Sequence, residues 1–128
     1  MPAASELLAI ALQHHQAGRL QEAEQIYRQI LTAEPNNAEA WHHFGVLAYQ
    51  TGKSDQAIHH LQKAVAIAPS LAEAHSNLGL LLAERDMFDA AINHYHKAIE
   101  LKPEFAEAYN NLGAALNARS QIEAAENC

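Results

Sequence analysis

Apolar and small residues recur along the chain at helical spacing, and the whole pattern repeats with a fixed period of 34 residues. Each period has two apolar stretches with helical periodicity on either side of a short polar turn, which predicts a pair of helices. Pro35, Pro69 and Pro103 are 34 residues apart, without any insertion, and each closes one period. A fixed period of this length is typical of proteins built from stacked repeats, in which each repeat packs on its neighbours.

The periodicity predicts helix everywhere outside the turns. The expected helices span about residues 3–16, 21–33, 37–50, 54–68, 71–84, 88–101, 104–119 and, as the first part of an eighth, 121–128. Gly18 and Gly52 are expected in the turns because glycine tolerates the positive φ that often follows a helix. Arg85 and Asp86 stand at the corresponding turn of the third period.

Short polar side chains precede several of the predicted helices and are expected to cap their N-termini. Asn36 and Asn37 lie before the third helix, and Ser54 lies at the start of the fourth. Ser70 with Glu73 three residues later has the form of a capping box. Such side chains accept hydrogen bonds from backbone N–H groups that have no partner inside the helix.

Small residues recur where two helices of a pair are expected to cross. Ala57 and Ala91 belong to second helices, whereas Gly45, Gly79 and Gly113 belong to first helices. A glycine inside a helix costs about 1 kcal/mol relative to alanine. A repeated one therefore indicates a packing requirement, and close approach of the two backbones is predicted at all three glycines.

The positions that carry the period also match a known pattern. In the period that begins at Ala38, counted as its first position, they are Trp41 at four, Phe44 and Gly45 at seven and eight, Ala57 at twenty, Leu61 at twenty-four, Ala64 at twenty-seven and Pro69 at thirty-two. From position seven onward the next period has Leu78, Gly79, Ala91, Tyr95, Ala98 and Pro103. This pattern resembles the tetratricopeptide repeat. Ala11 at position eight of the first period and His75 at position four of the third depart from it without shifting the register.

The resemblance implies an all-α fold, a right-handed α-solenoid of about three and a half tandem helix-turn-helix repeats with a concave groove. The expected repeats are residues 4–37, 38–71, 72–105 and an incomplete 106–128, and together they would form a single domain over residues 1–128. The resemblance also implies a protein-interaction module that binds a peptide or partner segment in the groove.

Composition narrows the class of partner and the setting. Acidic residues outnumber basic ones 15 to 8, which gives a net charge of −7 and argues against nucleic acid as a ligand. No apolar run approaches the roughly 18 residues of a membrane span, so membrane insertion is not expected. The N-terminus has no basic segment typical of a secretory signal. Cys128 is the only cysteine, which excludes an intrachain disulfide and favours a reducing cytoplasm.

Nine histidines raise the question of a metal site. Two ligands on one helix face must be three or four residues apart. The pairs His14-His15, His42-His43 and His59-His60 are adjacent, and His94 is two residues before His96. We therefore expect solvent-exposed histidines on helix surfaces and no metal site. No nucleophile elbow, phosphate loop or paired-carboxylate motif is found, so neither catalysis nor a cofactor is predicted.

The resemblance places the concave face on particular positions of each first helix. From the predicted groove we select Glu39, His42, His43, Val46, Tyr49, Glu73, Asn77, Leu80, Glu107, Asn110, Asn111 and Ala114 as peptide-binding residues. The row of Glu39, Glu73 and Glu107 makes this face acidic, although a glutamate in the first turn of a helix also stabilises the helix dipole.

Two known kinds of tetratricopeptide groove can be compared with these residues. The carboxylate clamp that holds acidic chaperone tails needs Lys and Arg where this chain has Glu, His, Ser and Asn, so an acidic chaperone tail is not the expected ligand. Asn77 and Asn111 resemble the asparagine ladder of the O-linked N-acetylglucosamine transferase superhelix. An asparagine amide both donates and accepts, so it can pair with a peptide backbone of any sequence.

Two alternatives to a simple interaction module remain open. The chain resembles the substrate-recognition arm of a larger enzyme such as a glycosyltransferase, and it also suits a self-assembling scaffold. The fourth repeat stops in its second helix, so Tyr109, Leu112 and Leu116 are expected to be less covered than their counterparts in the complete second repeat, which are Trp41, Phe44 and Ala48. Self-association through this C-terminal end is therefore predicted.

Overall fold

The computed structural model describes residues 3–126, and over that range the chain forms seven α-helices and no strand. The helices are α1 (Ala4–Gln16), α2 (Leu20–Ala33), α3 (Ala38–Gln50), α4 (Ser54–Ile67), α5 (Ala72–Glu84), α6 (Phe88–Leu101) and α7 (Ala106–Glu126). Three helix pairs and one unpaired helix confirm the predicted all-α fold of about three and a half helix-turn-helix repeats. Two compact units are present, Met1–Ala68 and Pro69–Cys128. The single domain expected over residues 1–128 stays a prediction.

The first unit is built from two antiparallel helix pairs, α1 with α2 and α3 with α4, joined by contacts between α2 and α3. Its core is formed by buried residues of all four helices, among them Tyr27, Ile30, Leu47 and Leu61. Burying each large apolar side chain contributes about 1.5–3 kcal/mol. The repeats are therefore held together mainly by apolar burial between consecutive helices.

In the second unit α6 contacts both α5 and α7, and α5 also contacts α7 directly. Leu78, Leu82 and Tyr95 are buried between α5 and α6, and Ala108 and Ala115 are the buried residues of α7. Small residues on the buried side of α7 let it lie close to α6.

The predicted close approach at glycine is confirmed in both complete inner pairs. A Cβ atom added to Gly45 would lie 2.8 Å from Leu61 Cγ and 3.3 Å from the carbonyl oxygen of Ala57. A Cβ atom added to Gly79 would lie 2.7 Å from Cε1 of Tyr95. Each glycine thus leaves a space that one large side chain of the following helix fills. We call this space the seat of that glycine. The helix-propensity cost of glycine is offset by this contact.

The same expectation is wrong at Gly113. No described atom outside its own helix lies within 4 Å of a Cβ added there. The cause is that α7 runs without interruption from Ala106 to Glu126, where a turn near residue 120 and a separate helix from 121 were predicted. The segment that would form the second helix of a fourth pair therefore continues the first one.

The turn residue explains why α7 does not fold back. The three turns that do form place Gly18 at φ 82°, Gly52 at φ 78° and Asp86 at φ 61°. The corresponding residue of the fourth repeat is Ser120. Positive φ is accessible to glycine and tolerated by Asp and Asn, but it costs other residues roughly 1–2 kcal/mol. Serine therefore stays helical here.

Ion pairs also hold the extended part of α7 in place. Arg119 is 3.0 Å from Asp89 at the start of α6 and 3.8 Å from Glu123 one turn later on α7. These groups are largely exposed, and such pairs contribute at most about 1 kcal/mol. They favour the straight helix without dominating its energy.

The capping predictions have mixed outcomes. Asn37 Oδ1 accepts a hydrogen bond from the Ala40 N–H at 3.1 Å, which confirms it as the N-cap of α3. Ser54 is the first residue of α4 and not its N-cap, and Leu71 stands at the N-cap of α5 without a side-chain hydrogen bond, so the Ser54 cap and the Ser70 capping box are wrong. The N-cap of α4 is Lys53, which forms no side-chain cap hydrogen bond.

The predicted exposure on α7 is confirmed. Tyr109 is 50% exposed and Leu116 is 37% exposed, whereas Leu112 is half-buried. At the matching positions of the first unit Trp41 is half-buried, and Phe44 and Ala48 are buried. The difference follows from the open seat at Gly113.

Substitutions of the three glycines should separate close packing from helix propensity. Gly79→Ala should lower the free energy of unfolding by about 1–3 kcal/mol, because the rigid Tyr95 ring must move. Gly113→Ala should raise it by up to about 1 kcal/mol, because the new methyl group meets open space and alanine favours helix. Urea unfolding followed by circular dichroism in dilute protein measures both, and Gly45→Ala should behave like Gly79→Ala. Equal effects at all three positions would contradict the open seat.

Candidate functional site

The predicted site residues of the first unit all lie on α3, and we call them the α3 surface. They are Glu39, His42, His43, Val46 and Tyr49. Glu39 and Tyr49 are exposed, and His43 and Val46 are half-buried. His42 is only 7% exposed, so little of its side chain is accessible to a ligand. The α3 surface therefore offers one carboxylate, one phenol ring and a partly apolar strip between them.

A hydrogen-bonded histidine holds this part of the first unit together. His15 of α1 lies 2.8 Å from the Tyr27 hydroxyl through Nδ1 and 2.6 Å from Gln50 Oε1 through Nε2. Because the amide oxygen can only accept, His15 Nε2 carries the proton and Nδ1 accepts from the Tyr27 O–H. The Tyr27 side chain is fully buried, and burial raises its pKa to about 12, so the hydroxyl remains a donor. One imidazole thus links α1, α2 and the end of α3.

Ring contacts continue from this histidine to the α3 surface. The ring of Tyr27 lies nearly parallel to that of His43, with centroids 6.4 Å apart, and His43 lies 4.8 Å from His42. Burial, followed by the neighbouring His43, lowers the pKa of His42 to about 4. The imidazoles of this surface are therefore held in fixed positions, and His42 stays neutral at physiological pH.

A second aromatic cluster of the first unit was not predicted. The His60 ring stacks on Phe44 with centroids 4.3 Å apart and lies 5.3 Å from Trp41. The guanidinium of Arg28 lies 5.1 Å from the centroid of Phe44. Burial, with smaller effects of His59 and Arg28, lowers the pKa of His60 to about 4. The cluster packs α3 on α4 and has a structural role.

The predicted site residues of the second unit lie on α5 and α7, and we call them the α5/α7 surface. They are Glu73, Asn77, Leu80, Glu107, Asn110, Asn111 and Ala114. Both glutamates, Asn110 and Ala114 are exposed, and the other three are half-buried. Glu73 is 3.8 Å from Lys102 Nζ in an exposed ion pair. Because α5 and α7 contact each other, the structure brings these residues to adjacent helices.

The expectation of solvent-exposed histidines is wrong for His42 and for His75, each of which is 7% exposed. His75 Nε2 is 2.9 Å from the Pro69 carbonyl oxygen, and its Nδ1 is 3.1 Å from Nδ1 of His94. Since a carbonyl only accepts, His75 donates through Nε2, and His94 must donate to the bare Nδ1 of His75. A helical pattern cannot reveal such a pair, because its members are 19 residues apart on different helices.

The geometry of this pair is that of a hydrogen bond and not of a metal chelate. The ring centroids are 5.3 Å apart, so the line joining the two Nδ1 atoms passes close to both ring centres. Two histidine ligands would instead point at a third position about 2.0–2.1 Å from each nitrogen. Burial lowers the pKa of both His75 and His94. Among residues 3–126 no group of three or more His, Cys, Asp or Glu side chains is arranged to hold a metal ion.

Sequence models of two repeat families match the chain. The model described as "Tetratricopeptide repeat" matches residues 14–81, and the model described as "TPR repeat" matches residues 81–118. The first alone spans more than half of the chain. The chain belongs to the tetratricopeptide repeat (TPR) family.

Solved TPR structures have the same fold. The crystal structure of MamA is 27% identical with a TM-score of 0.83, over 91% of this chain and 68% of that one. The first TPR of Spaghetti (RPAP3) bound to the HSP90 peptide SRMEEVD is 24% identical with a TM-score of 0.86, over 91% and 93%. A mutant of Thermobaculum terrenum O-GlcNAc transferase is 30% identical with a TM-score of 0.82, over 91% and 23%. The repeats therefore resemble those of that transferase, as predicted. No curated protein sequence matches the chain.

The TPR fold is the architecture of protein-interaction modules, and this chain has that architecture. Over residues 3–126 none of the TPR helices is both long enough and apolar enough to cross a membrane.

The buried histidines predict that stability falls in mild acid. The pKa of His42 and of His60 is about 4 in the folded state, against about 6.5 in an unfolded chain. Between these values the unfolded state binds more protons, so the stabilisation is complete above pH 6.5 and is lost as the pH falls towards 4. The melting temperature should therefore decline between pH 7 and pH 5.

The variant His60→Phe should weaken this decline. In the unaltered protein the Nδ1 atom of His60 is buried without a hydrogen-bond partner among the described residues. Phenylalanine therefore loses no bond at that atom and keeps the ring contact with Phe44. His96→Gln, at an exposed position of α6, serves as the control and should melt with the pH profile of the unaltered protein. A decline that is as steep in His60→Phe as in the control would refute the assignment.

Proposed function

We propose that this TPR chain binds extended peptide segments of partner proteins, on the α5/α7 surface of the second unit and separately on the α3 surface of the first, and has no catalysis of its own. The observation that carries the proposal is the position of Asn77 and Asn111, which lie one repeat apart on the contacting helices α5 and α7. Packed helices are about 8–10 Å apart, and three residues of extended chain span about 10 Å. Two amides at this spacing suit a peptide backbone that crosses both helices.

Charge supports a neutral or basic ligand. Glu39, Glu73 and Glu107 are exposed, and each lies in the first turn of its helix. Neither surface contains a Lys or Arg, and Lys102 reaches only the edge of the second one, at Glu73. The acidic surface would therefore repel the carboxylates of an acidic tail. The Spaghetti (RPAP3) domain holds the peptide SRMEEVD, but the likeness of that domain to this chain concerns the fold alone.

The α3 surface supplies a different kind of contact. Tyr49 is 37% exposed and lies one turn from Val46, so the two offer an apolar patch beside His43. Exposed tyrosine provides a large contact area and loses little conformational entropy on binding. We infer that this patch accepts one apolar or aromatic side chain of the ligand.

The charge of the preferred ligand is tested by two matched peptides. SRMEEVD serves as the acidic probe, and a version with lysine at each acidic position serves as the basic one. At low ionic strength the basic peptide should bind several-fold more tightly, and the difference should shrink as salt screens the charges. A triple Glu39→Gln, Glu73→Gln and Glu107→Gln variant should remove most of it. Preferential binding of the acidic probe would overturn the proposal.

The asparagine contacts are tested on the best binder of a peptide array. Replacing Asn77 and Asn111 by alanine should cost about 1 kcal/mol per lost hydrogen bond, which is roughly a five-fold weaker affinity each. Asn77 already has a polar interaction inside the chain, so Asn111→Ala is the cleaner variant. Asn93→Ala on α6 is the matched control and should leave the affinity unchanged. An unaltered affinity with a large fall in melting temperature would show that the asparagines are structural.

A second candidate is favoured by the match to the O-GlcNAc transferase. That match is 30% identical and covers only 23% of the transferase, as expected if these repeats presented substrates to a larger enzyme. The test is to read the gene beyond residue 128. A catalytic domain in the same frame would support the substrate-presenting arm, and its absence would leave the independent module.

We also propose a cytoplasmic location, in keeping with a single cysteine.

A further inference from the structure

An apolar stripe on α7 is largely exposed, because only Leu112 of its four members is half-buried. Its members are Tyr109, Leu112, Gly113 and Leu116, spaced so that they share one helix face, which we call the α7 face. Tyr109 and Leu116 are among the exposed large apolar residues of the described chain. Ala108 and Ala115 on another side of α7 are buried. The α7 face is thus fixed in position by the packing behind it.

The two complete inner pairs show what fits such a face. Leu61 fills the seat at Gly45, and Tyr95 fills the seat at Gly79, in each case from a helix that runs antiparallel to the first. The seat at Gly113 is open, with no described atom within 4 Å of an added Cβ. A partner that fits this seat is therefore an antiparallel helix that presents a large apolar side chain to Gly113.

We propose that a second copy of this chain supplies that helix, with two α7 helices packed antiparallel about a two-fold axis between Leu112 and Gly113. In this arrangement Leu112 of each copy enters the Gly113 seat of the other, and Tyr109 faces Leu116. A two-fold interface requires a surface that is complementary to itself. The α7 face meets this requirement because it has both the large side chains and the open seat.

The charge distribution permits a second copy at this face. Each chain has a net charge of −7, so two copies repel each other at long range. The stretch Ala108–Ala118 has no charged residue, so the two helices can meet without placing like charges opposite each other. Added salt should therefore strengthen the association, because it screens the repulsion and leaves apolar contact intact.

The expected dimer is weak and depends on concentration. Four residues on one helix bury less than the roughly 1,200 Å² of a standard protein interface. The interface does not depend on the proposed peptide binding, because Asn111 and Ala114 lie at other positions around α7. A dimer could form with or without a bound peptide.

Sedimentation equilibrium over a wide concentration range tests the proposal on the whole chain. The weight-average mass should rise from 14.0 kDa towards twice that value, and it should rise further in high salt. Leu112→Glu should reduce the association constant by at least ten-fold. Gly113→Leu should do the same, because its side chain fills the seat, and the open space around it lets the monomer keep its fold. Asn93→Glu adds the same charge to an exposed position of α6 and should leave association unchanged.

Three outcomes would overturn the proposal. A wild-type chain that remains monomeric at high concentration and high salt would show that a second copy does not bind the α7 face. Association that persists in both Leu112→Glu and Gly113→Leu would place the interface elsewhere. Strong amide protection of residues 112–126 in dilute monomer, lost in Gly113→Leu, would show that the chain's own C-terminal segment folds back onto the seat. Circular dichroism of every variant confirms that helix content is retained.

Discussion

The contact between a glycine of one helix and a large side chain of the next is the constraint on which the fold depends. At Gly45 and Gly79 the absence of a side chain lets Leu61 and Tyr95 lie against the helix backbone. This contact lets the helices of the α3/α4 and α5/α6 pairs lie close together, and the polar faces of these helices take their positions from that packing. The asparagines and glutamates of the proposed peptide surfaces are ordered because apolar contacts behind them fix the helices.

Most of the fold could be predicted from the sequence because its determinants are local and repeated. The first six helices and most of their ends follow from the 34-residue period, and the three turns that form follow from residues able to adopt positive φ. The prediction failed at the fourth turn, because a turn was expected there from the 34-residue period alone although the turn position holds a serine. The signal was available at Ser120, because the other turns have Gly18, Gly52 and Asp86 at that position. The Ser54 and Ser70 caps failed because the N-caps of those helices are Lys53 and Leu71, neither of which forms a side-chain cap hydrogen bond.

The histidines show what a helical pattern cannot predict. His42 and His75 were assigned to the surface by residue type, yet both are buried. The position of an imidazole depends on partners from other helices, as the bonds of His75 to Pro69 and His94 and of His15 to Tyr27 and Gln50 illustrate. The candidate surfaces were predictable in position from the repeat register. Their accessibility was not, because it depends on side-chain packing that the register does not encode.

The uninterrupted α7 has a consequence for how repeat proteins change in length. Three earlier turns reverse the chain through a residue at positive φ followed by a residue with non-helical ψ, whereas residue 120 lies inside helix α7. The free energy at stake is roughly 1–2 kcal/mol, which is small beside the packing of a complete repeat. The residue at this one position therefore biases a repeat towards a reversed hairpin or towards a longer helix, while the repeats before it keep their structure.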